Sequence, residues 1–286
     1  MESPAPAPSR GLTLNDIVRA YLARHRVAPS ARGKTLRRIA QCRTEALGGR
    51  VEGCDACGYS QFVWNGCLDR HCPSCMGVTS AKWVAAQLEL LLPVPYFHVV
   101  FTLPKPVADI ALRNKKTLDG LLMRLSAEVT QTIAKDPRHL GAELGITSVL
   151  HTWSQRLEHH PHVHMVIPGG GLDPDGRWKP CRPNFFLPTP VLAALFRRRF
   201  LEELDRLRDR GDLRLDGPLA HLQDDAGWTT LTAELRRIGW NVYAKRPFAG
   251  PEAVLKYLSG YTHRSPIANH RLVAFDGKTV TFRARG

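Results

Sequence analysis

Residues 146–171 read ITSVLHTWSQRLEHHPHVHMVIPGGG, and their alternation decides how the chain folds. In a strand, side chains two residues apart share a face, so His162 and His164 point one way while Val163 points into a core. The apolar residues Val163, Met165, Val166 and Ile167 predict a buried strand, which Pro168 and glycines 169–171 end. Upstream, Ile146 to Trp153 predicts a second strand, and the polar run Ser154 to Pro161 turns the chain back into a hairpin. On the first arm His151 shares a face with Val149 and Trp153. A register that sets it beside His162 and His164 completes a three-nitrogen metal site, with coordination positions left for substrate oxygen and water.

Charge narrows what such a site serves. Over 286 residues, 40 Lys+Arg against 26 Asp+Glu give a formal +14 and a pI near 9.9. That excess favours a polyanionic partner, nucleic acid first and an anionic membrane surface second. No run of 18 apolar residues predicts a membrane span, and no apolar segment follows a basic one at the N-terminus as in a secretory signal. The expected compartment is therefore the cytoplasm. The pattern sets no oligomeric state. Of seven cysteines, six fall between Cys42 and Cys75, which in a cytosolic protein points to metal rather than disulfides.

Taken in order, residues 1–12 are Pro- and Ala-rich and read as a disordered tail. Apolar spacing predicts a helix from Leu14 to Arg26 and a second from about Ser30 to Cys42, whose Arg32, Lys34, Arg37 and Arg38 suit a phosphate backbone. Two Cys-x-x-Cys knuckles follow, Cys54/Cys57 and Cys72/Cys75. The 14 residues between them leave room for a hairpin over Tyr59 to Asn65. Four thiolates from the two knuckles make a zinc-ribbon-type site, structural because so short a segment buries too little core to fold without metal. Cys42, Cys67 and His71 are left over: a second ion, a replacement for one of the four, or plain burial all fit their spacing. A helix is expected after Gly77, running through Lys82 to Leu92, a strand over Phe97 to Leu103, and one or two helices over 107–135. Beyond the histidine hairpin come an extended stretch from Trp178 to Phe186 with Cys181 as a lone buried thiol, helices over Pro190 to Arg210 and Gly227 to Ile238, and a strand over Trp240 to Lys245. Tyr257 and Tyr261, four residues apart, share a helical face. The segments 272–275 and 279–282 flank Asp276-Gly277 as a final hairpin.

A His-x-His site, paired tyrosines, a zinc module and a basic surface together suggest phosphodiester chemistry on nucleic acid. A phenol with a pKa of roughly 10 is a poor nucleophile at neutral pH, so a divalent cation on the scissile phosphate is needed to withdraw charge and hold it in line. The product would be a phosphotyrosine ester that keeps the bond energy for a later rejoining.

The run Cys42 to Gly49 (CRTEALGG), the knuckle Arg70 to Cys75 (RHCPSC), His151-Thr152-Trp153, His160 to His164 (HPHVH) and the Tyr257-Leu258 and Tyr261 to Arg264 (YTHR) motif resemble the rolling-circle insertion-sequence transposases of the IS91 type, over nearly the whole chain from about residue 14. The resemblance implies an α+β fold: a small helical and zinc-ribbon-like module over 13–84, then an HUH endonuclease domain over 85–286 with a central antiparallel sheet and helices on one side. On that analogy His162 and His164 hold a catalytic Mg²⁺ or Mn²⁺, with His151 as third ligand and Gln155 as the fallback. Tyr257 and Tyr261 are then the nucleophiles of single-strand DNA nicking and strand transfer through a 5′-phosphotyrosine. Arg37, Arg38 and Arg264 would meet DNA, and Trp64, Trp83 and Trp240 would offer rings for unpaired bases. Family members usually continue past the last hairpin, so a C-terminally truncated copy is expected, working at a bacterial nucleoid. Two other readings share the pattern: a replication initiator or relaxase with the same chemistry, and a zinc-ribbon DNA-binding protein without catalysis.

Overall fold

Alternation in the sequence becomes a four-stranded antiparallel sheet in the computed structural model, which describes residues 11–245, 253 and 265–284. Tyr257, Tyr261 and Arg264 lie outside the described residues. By their contacts the described residues form two compact units: one from 11–86, 155–157 and 265–284, the other from 87–154 and 158–245.

The first unit begins with α1 (Leu14–Arg24), entered through a capping box in which Thr13 and Asp16 satisfy each other's backbone N–H groups. Next comes α2 (Ala31–Gln41), capped by the Ser30 hydroxyl. Strands β1 (Gly49–Gly53) and β2 (Ser60–Trp64) pair from Gly49↔Trp64 to Gly53↔Ser60, and α3 (Pro73–Leu88) follows. This moves the expected hairpin: the strand opposite β2 precedes the first knuckle, so Cys54 and Cys57 sit in the turn itself. The helix after the second knuckle also starts earlier than expected, at Pro73 rather than after Gly77, because proline is well suited to a first helical turn.

The second unit holds β3 (Tyr96–Thr102), α4 (Lys105–Arg113), α5 (Lys115–Lys135), β4 (Thr147–Trp153), β5 (His159–Pro168), β6 (Gly170–Leu172), β7 (Trp178–Pro180), α6 (Thr189–Asp209), α7 (Asp225–Arg237) and β8 (Val242–Lys245). The sheet order is β4-β5-β3-β8. Its core face carries Val99 and Phe101 from β3 and Val163, Met165 and Ile167 from β5, all fully buried. Helices α4, α5 and α6 pack on the sheet, and α7 adds Trp228, Leu231 and Leu235 to the same core. Each large apolar side chain so buried stabilises the fold by about 1.5–3 kcal/mol. The helices thus lie on one side, and the other face carries the histidines.

Two expectations about this unit change. β5 begins at His159, so the turn is shorter than Ser154 to Pro161. β5 ends at Pro168 as expected, and the short β6 that follows from Gly170 has a backbone that approaches Trp178 and Glu143 so closely that a Cβ at Gly171 would meet the Glu143 carbonyl oxygen at 2.3 Å. The extended stretch from Trp178 shrinks to three residues.

After Ser265 the chain returns to the first unit as β9 (Leu272–Phe275) and β10 (Val280–Phe282). The Asn269 side chain accepts from the Leu14 N–H (3.0 Å) and donates to Ser74 Oγ (3.0 Å), while the Arg271 guanidinium donates to the Gln155 carbonyl. Residues 155–157 and 265–284 therefore belong with the first unit, unlike the expected single domain over 85–286. Among the described residues no helix is long and apolar enough to cross a membrane.

Candidate metal centres

Four buried sulfurs, those of Cys42, Cys67, Cys72 and Cys75, lie within 4.8 Å of one another. Sγ–Sγ distances are 3.4 Å for Cys42–Cys75, 3.6 Å for Cys42–Cys72 and 3.8 Å for Cys67–Cys75. A tetrahedron built on Zn–S bonds of about 2.3 Å has edges of about 3.8 Å, so the donor set fits zinc. Local backbone explains the convergence. Cys42 caps the end of α2 and Cys67 leaves β2, and the residue after each, Arg43 (φ 58°) and Leu68 (φ 52°), takes a left-handed conformation that turns the chain at the sulfur. Cys72 and Cys75 straddle the start of α3, where helix N–H groups favour a thiolate. Burial pushes the Cys42 thiol up to about 11 and raises that of Cys67. For Cys72 burial acts in the same sense, but hydrogen bonds led by that from Asn15 (3.5 Å) outweigh it and lower the thiol.

This differs from the expected four. Cys54 and Cys57 are exposed at the β1–β2 turn, outside the cluster, and Cys42 with Cys67 stands in their place. Equal Cys-x-x-Cys spacing made the two knuckles look like partners, whereas pairing of β1 with β2 carries the first onto the hairpin tip. His71, half exposed, binds Asp69 through Nδ1 (3.1 Å) and is not in the group either. The two arginines expected on DNA are exposed: Arg38 donates to the Cys67 carbonyl (2.9 Å) and Arg37 to that of Val27 (3.3 Å). Of the expected base-stacking rings, Trp64 is exposed, whereas Trp240 is buried against Phe196 and Phe200 and donates to the Leu235 carbonyl.

On the face of the sheet opposite those helices the three histidines meet. His151 pairs directly with His162 across β4 and β5, and His164 opposes Val149. One nitrogen from each of His151, His162 and His164 lies within 4.8 Å of the others. Ring centroids are 4.6 Å apart for His151–His164, 4.9 Å for His162–His164 and 5.3 Å for His151–His162. The register that had to be supposed is present, and the fallback ligand Gln155 is exposed. Burial pushes the His162 imidazole down to about 4, with the charges of His151 and His160 acting the same way. Burial, then His151 and His162, bring His164 down to about 2. Both rings are thus neutral, as ligands must be. His162 donates Nδ1–H to the His160 carbonyl (2.6 Å), an oxygen that can only accept, and this presents Nε2 as the lone-pair nitrogen.

Three more side chains share this face. His98 on β3, 2 % exposed, places Nε2 2.8 Å from His164 Nδ1. Tyr243 and Lys245 stand on β8 opposite Val100 and His98, with the ammonium 6.0 Å from the phenol ring. The sequence reading passed over His98, although a histidine in the apolar run YFHVVF was the signal that its strand, too, had a polar face.

Comparison with known proteins bears on what this geometry serves. Residues 13–103 match the family described as "Transposase zinc-binding domain", and residues 145–286 that described as "Putative transposase". The chain is 50 % identical over 265 residues to "Putative transposase y4qJ" of Sinorhizobium fredii, covering 92 % of this chain and 67 % of that protein. The chain belongs to the IS91 family of insertion-sequence transposases. This transposase is also 30 % identical to the transposase for insertion sequence element IS801 of Pseudomonas savastanoi pv. phaseolicola, over 98 % of its own length and 67 % of that protein's. Among solved structures it is similar to the relaxase TrwC complexed with a 27-mer DNA comprising the recognition hairpin and cleavage site, at TM-score 0.33 and 21 % identity over 38 % of this chain and 44 % of that one. A copper-bound TrwC complex with DNA matches at TM-score 0.31 and 14 % identity, over 58 % and 71 % of the two chains.

Proposed function

We propose that this transposase nicks one DNA strand at the ends of its insertion sequence through a tyrosine ester and transfers the strand by a rolling-circle route. The observation that carries the reading is the register His151↔His162 with His164 on the same face, which gathers three imidazoles on one patch of sheet. A divalent ion held there would draw charge from a phosphate oxygen and hold the phosphorus for in-line attack. Imidazole donors favour a transition ion such as Mn²⁺ over Mg²⁺, which prefers oxygen.

The remaining chemistry falls to the chain. The phenol oxygen of Tyr257 or Tyr261 forms a bond to phosphorus and passes its proton to water. The bond from phosphorus to the 3′-oxygen breaks, and that oxygen leaves with the electron pair and takes up a proton as the 3′-hydroxyl. The 5′-phosphate stays esterified to tyrosine until a new 3′-hydroxyl attacks. Arg264, three residues past Tyr261, is proposed to meet the strand, with Arg37 and Arg38 on a more distant stretch. The cluster of Cys42, Cys67, Cys72 and Cys75 is proposed to hold structural zinc.

The test uses a labelled single-stranded oligonucleotide carrying the element's end, incubated with the full chain and Mn²⁺. A denaturation-resistant protein–DNA adduct is expected, absent from the Tyr257→Phe, Tyr261→Phe double variant and from His162→Ala. Salt-sensitive binding with no adduct under Mn²⁺, Mg²⁺ or Co²⁺ would leave a non-catalytic DNA-binding protein.

A further inference from the structure

We infer that His98 is a positioning residue for the metal site: its Nε2 accepts a hydrogen bond from His164 Nδ1–H and so fixes the tautomer in which His164 offers Nε2 to a cation. This deepens the proposed function and rests on its reading of His151, His162 and His164 as ligands. The two nitrogens are 2.8 Å apart, and the rings lie nearly coplanar, 10° between planes with centroids 5.1 Å apart, so the bond runs in the plane of both imidazoles as a lone pair requires. Strand register supplies the placement. His98 opposes Val166 on β5, so it stands on the face of His162 and His164, one cross-strand diagonal from His164.

Only one arrangement of protons suits a ligand. If His98 donated, His164 Nδ1 would carry the lone pair and a neutral His164 would keep its proton on Nε2, closed to metal. If His164 donates, its Nε2 is the lone pair and His98 carries its own proton on Nδ1. Histidine ligands commonly give their second N–H to a carboxylate or a carbonyl, and such partners are worth about 10- to 100-fold in metal affinity. His162 follows that habit through the His160 carbonyl. At His164 a neutral imidazole takes the same place, orienting the ring without adding negative charge beside a phosphate.

The experiment is carried out on the full chain with its cysteine site loaded with zinc. Long-range ¹H–¹⁵N spectra of ¹⁵N-histidine protein read the tautomer of His164, and calorimetry with Mn²⁺ reads affinity, for wild type, His98→Leu, His98→Gln and His151→Ala. The expected result is Nδ1–H at His164 in the wild type, loss of that preference and 10- to 100-fold weaker Mn²⁺ binding in His98→Leu, and recovery of most affinity in His98→Gln, whose amide oxygen can accept. Protonated Nε2 on neutral wild-type His164 overturns the inference, as does unchanged Mn²⁺ affinity in a folded His98→Leu variant. Failure of the metal site itself looks different: His151→Ala then leaves Mn²⁺ binding unchanged, and the His164 tautomer alone decides whether His98 accepts.

Discussion

Histidines 98, 162 and 164 are held neutral by burial, and this sets a pH dependence of the fold. For His98, burial and then the nearby charge of Lys245 bring the imidazole down to about 4. The unfolded chain therefore takes up a proton near pH 6.5 that the folded one refuses until about pH 4, so stability is present above 6.5 and drains away as pH falls through that window. With 1.36 kcal/mol per pKa unit, a fully buried group contributes up to roughly 3 kcal/mol. In metal-free protein the melting temperature should fall from pH 7 to pH 4, and less steeply in His98→Gln. Equal slopes would contradict the burial argument. Leu68 offers a second check. It is 75 % exposed with φ 52°, a conformation costing about 1 kcal/mol for a non-glycine residue, so Leu68→Gly should leave chemical-denaturation stability equal or higher by up to about 1 kcal/mol.

Element geometry separates the two Cys-x-x-Cys knuckles, which the sequence makes look alike. The second straddles the first turn of α3 with its sulfurs buried, and the first rides exposed on the β1–β2 turn. Loss of any one sulfur from the buried four should strip the metal and unfold this unit, because structural zinc supplies on the order of 10 kcal/mol in small zinc domains. Zinc analysis of purified protein should show about one ion less in Cys42→Ser or Cys67→Ser. The Cys54→Ser, Cys57→Ser pair should keep that ion. Retention of all zinc in Cys42→Ser would undo the assignment. The histidine hairpin was plain for a complementary reason: a period of two, a turn and a glycine end are local signals, and β4 and β5 obey them within a few residues.

At the scale of the whole molecule, the last described segment closes on the first. Asn269 links the start of α1 to Ser74 at the head of α3, so Asn269→Ala should lower the melting transition followed by zinc release, at a cost of about 1–2 kcal/mol. A formal +14 over 286 residues adds a prediction for DNA. Affinity for single strands should fall steeply with salt, by a slope of about 0.7 per phosphate neutralised. A flat salt response would remove the electrostatic basis of the proposed interface.

The sequence by itself determined the histidine hairpin, the α+β alternation, a cysteine-rich module at the front and a basic surface, because each is written in neighbours a few residues apart. Only the tertiary structure decided which sulfurs meet, that the C-terminal hairpin returns to the zinc module, and that His98 stands behind His164. Those depend on pairings such as Cys42 with Cys72, 30 positions apart, and Leu14 with Asn269, 255 apart, and equal local spacing carries no information about which distant partner a folded chain will bring near.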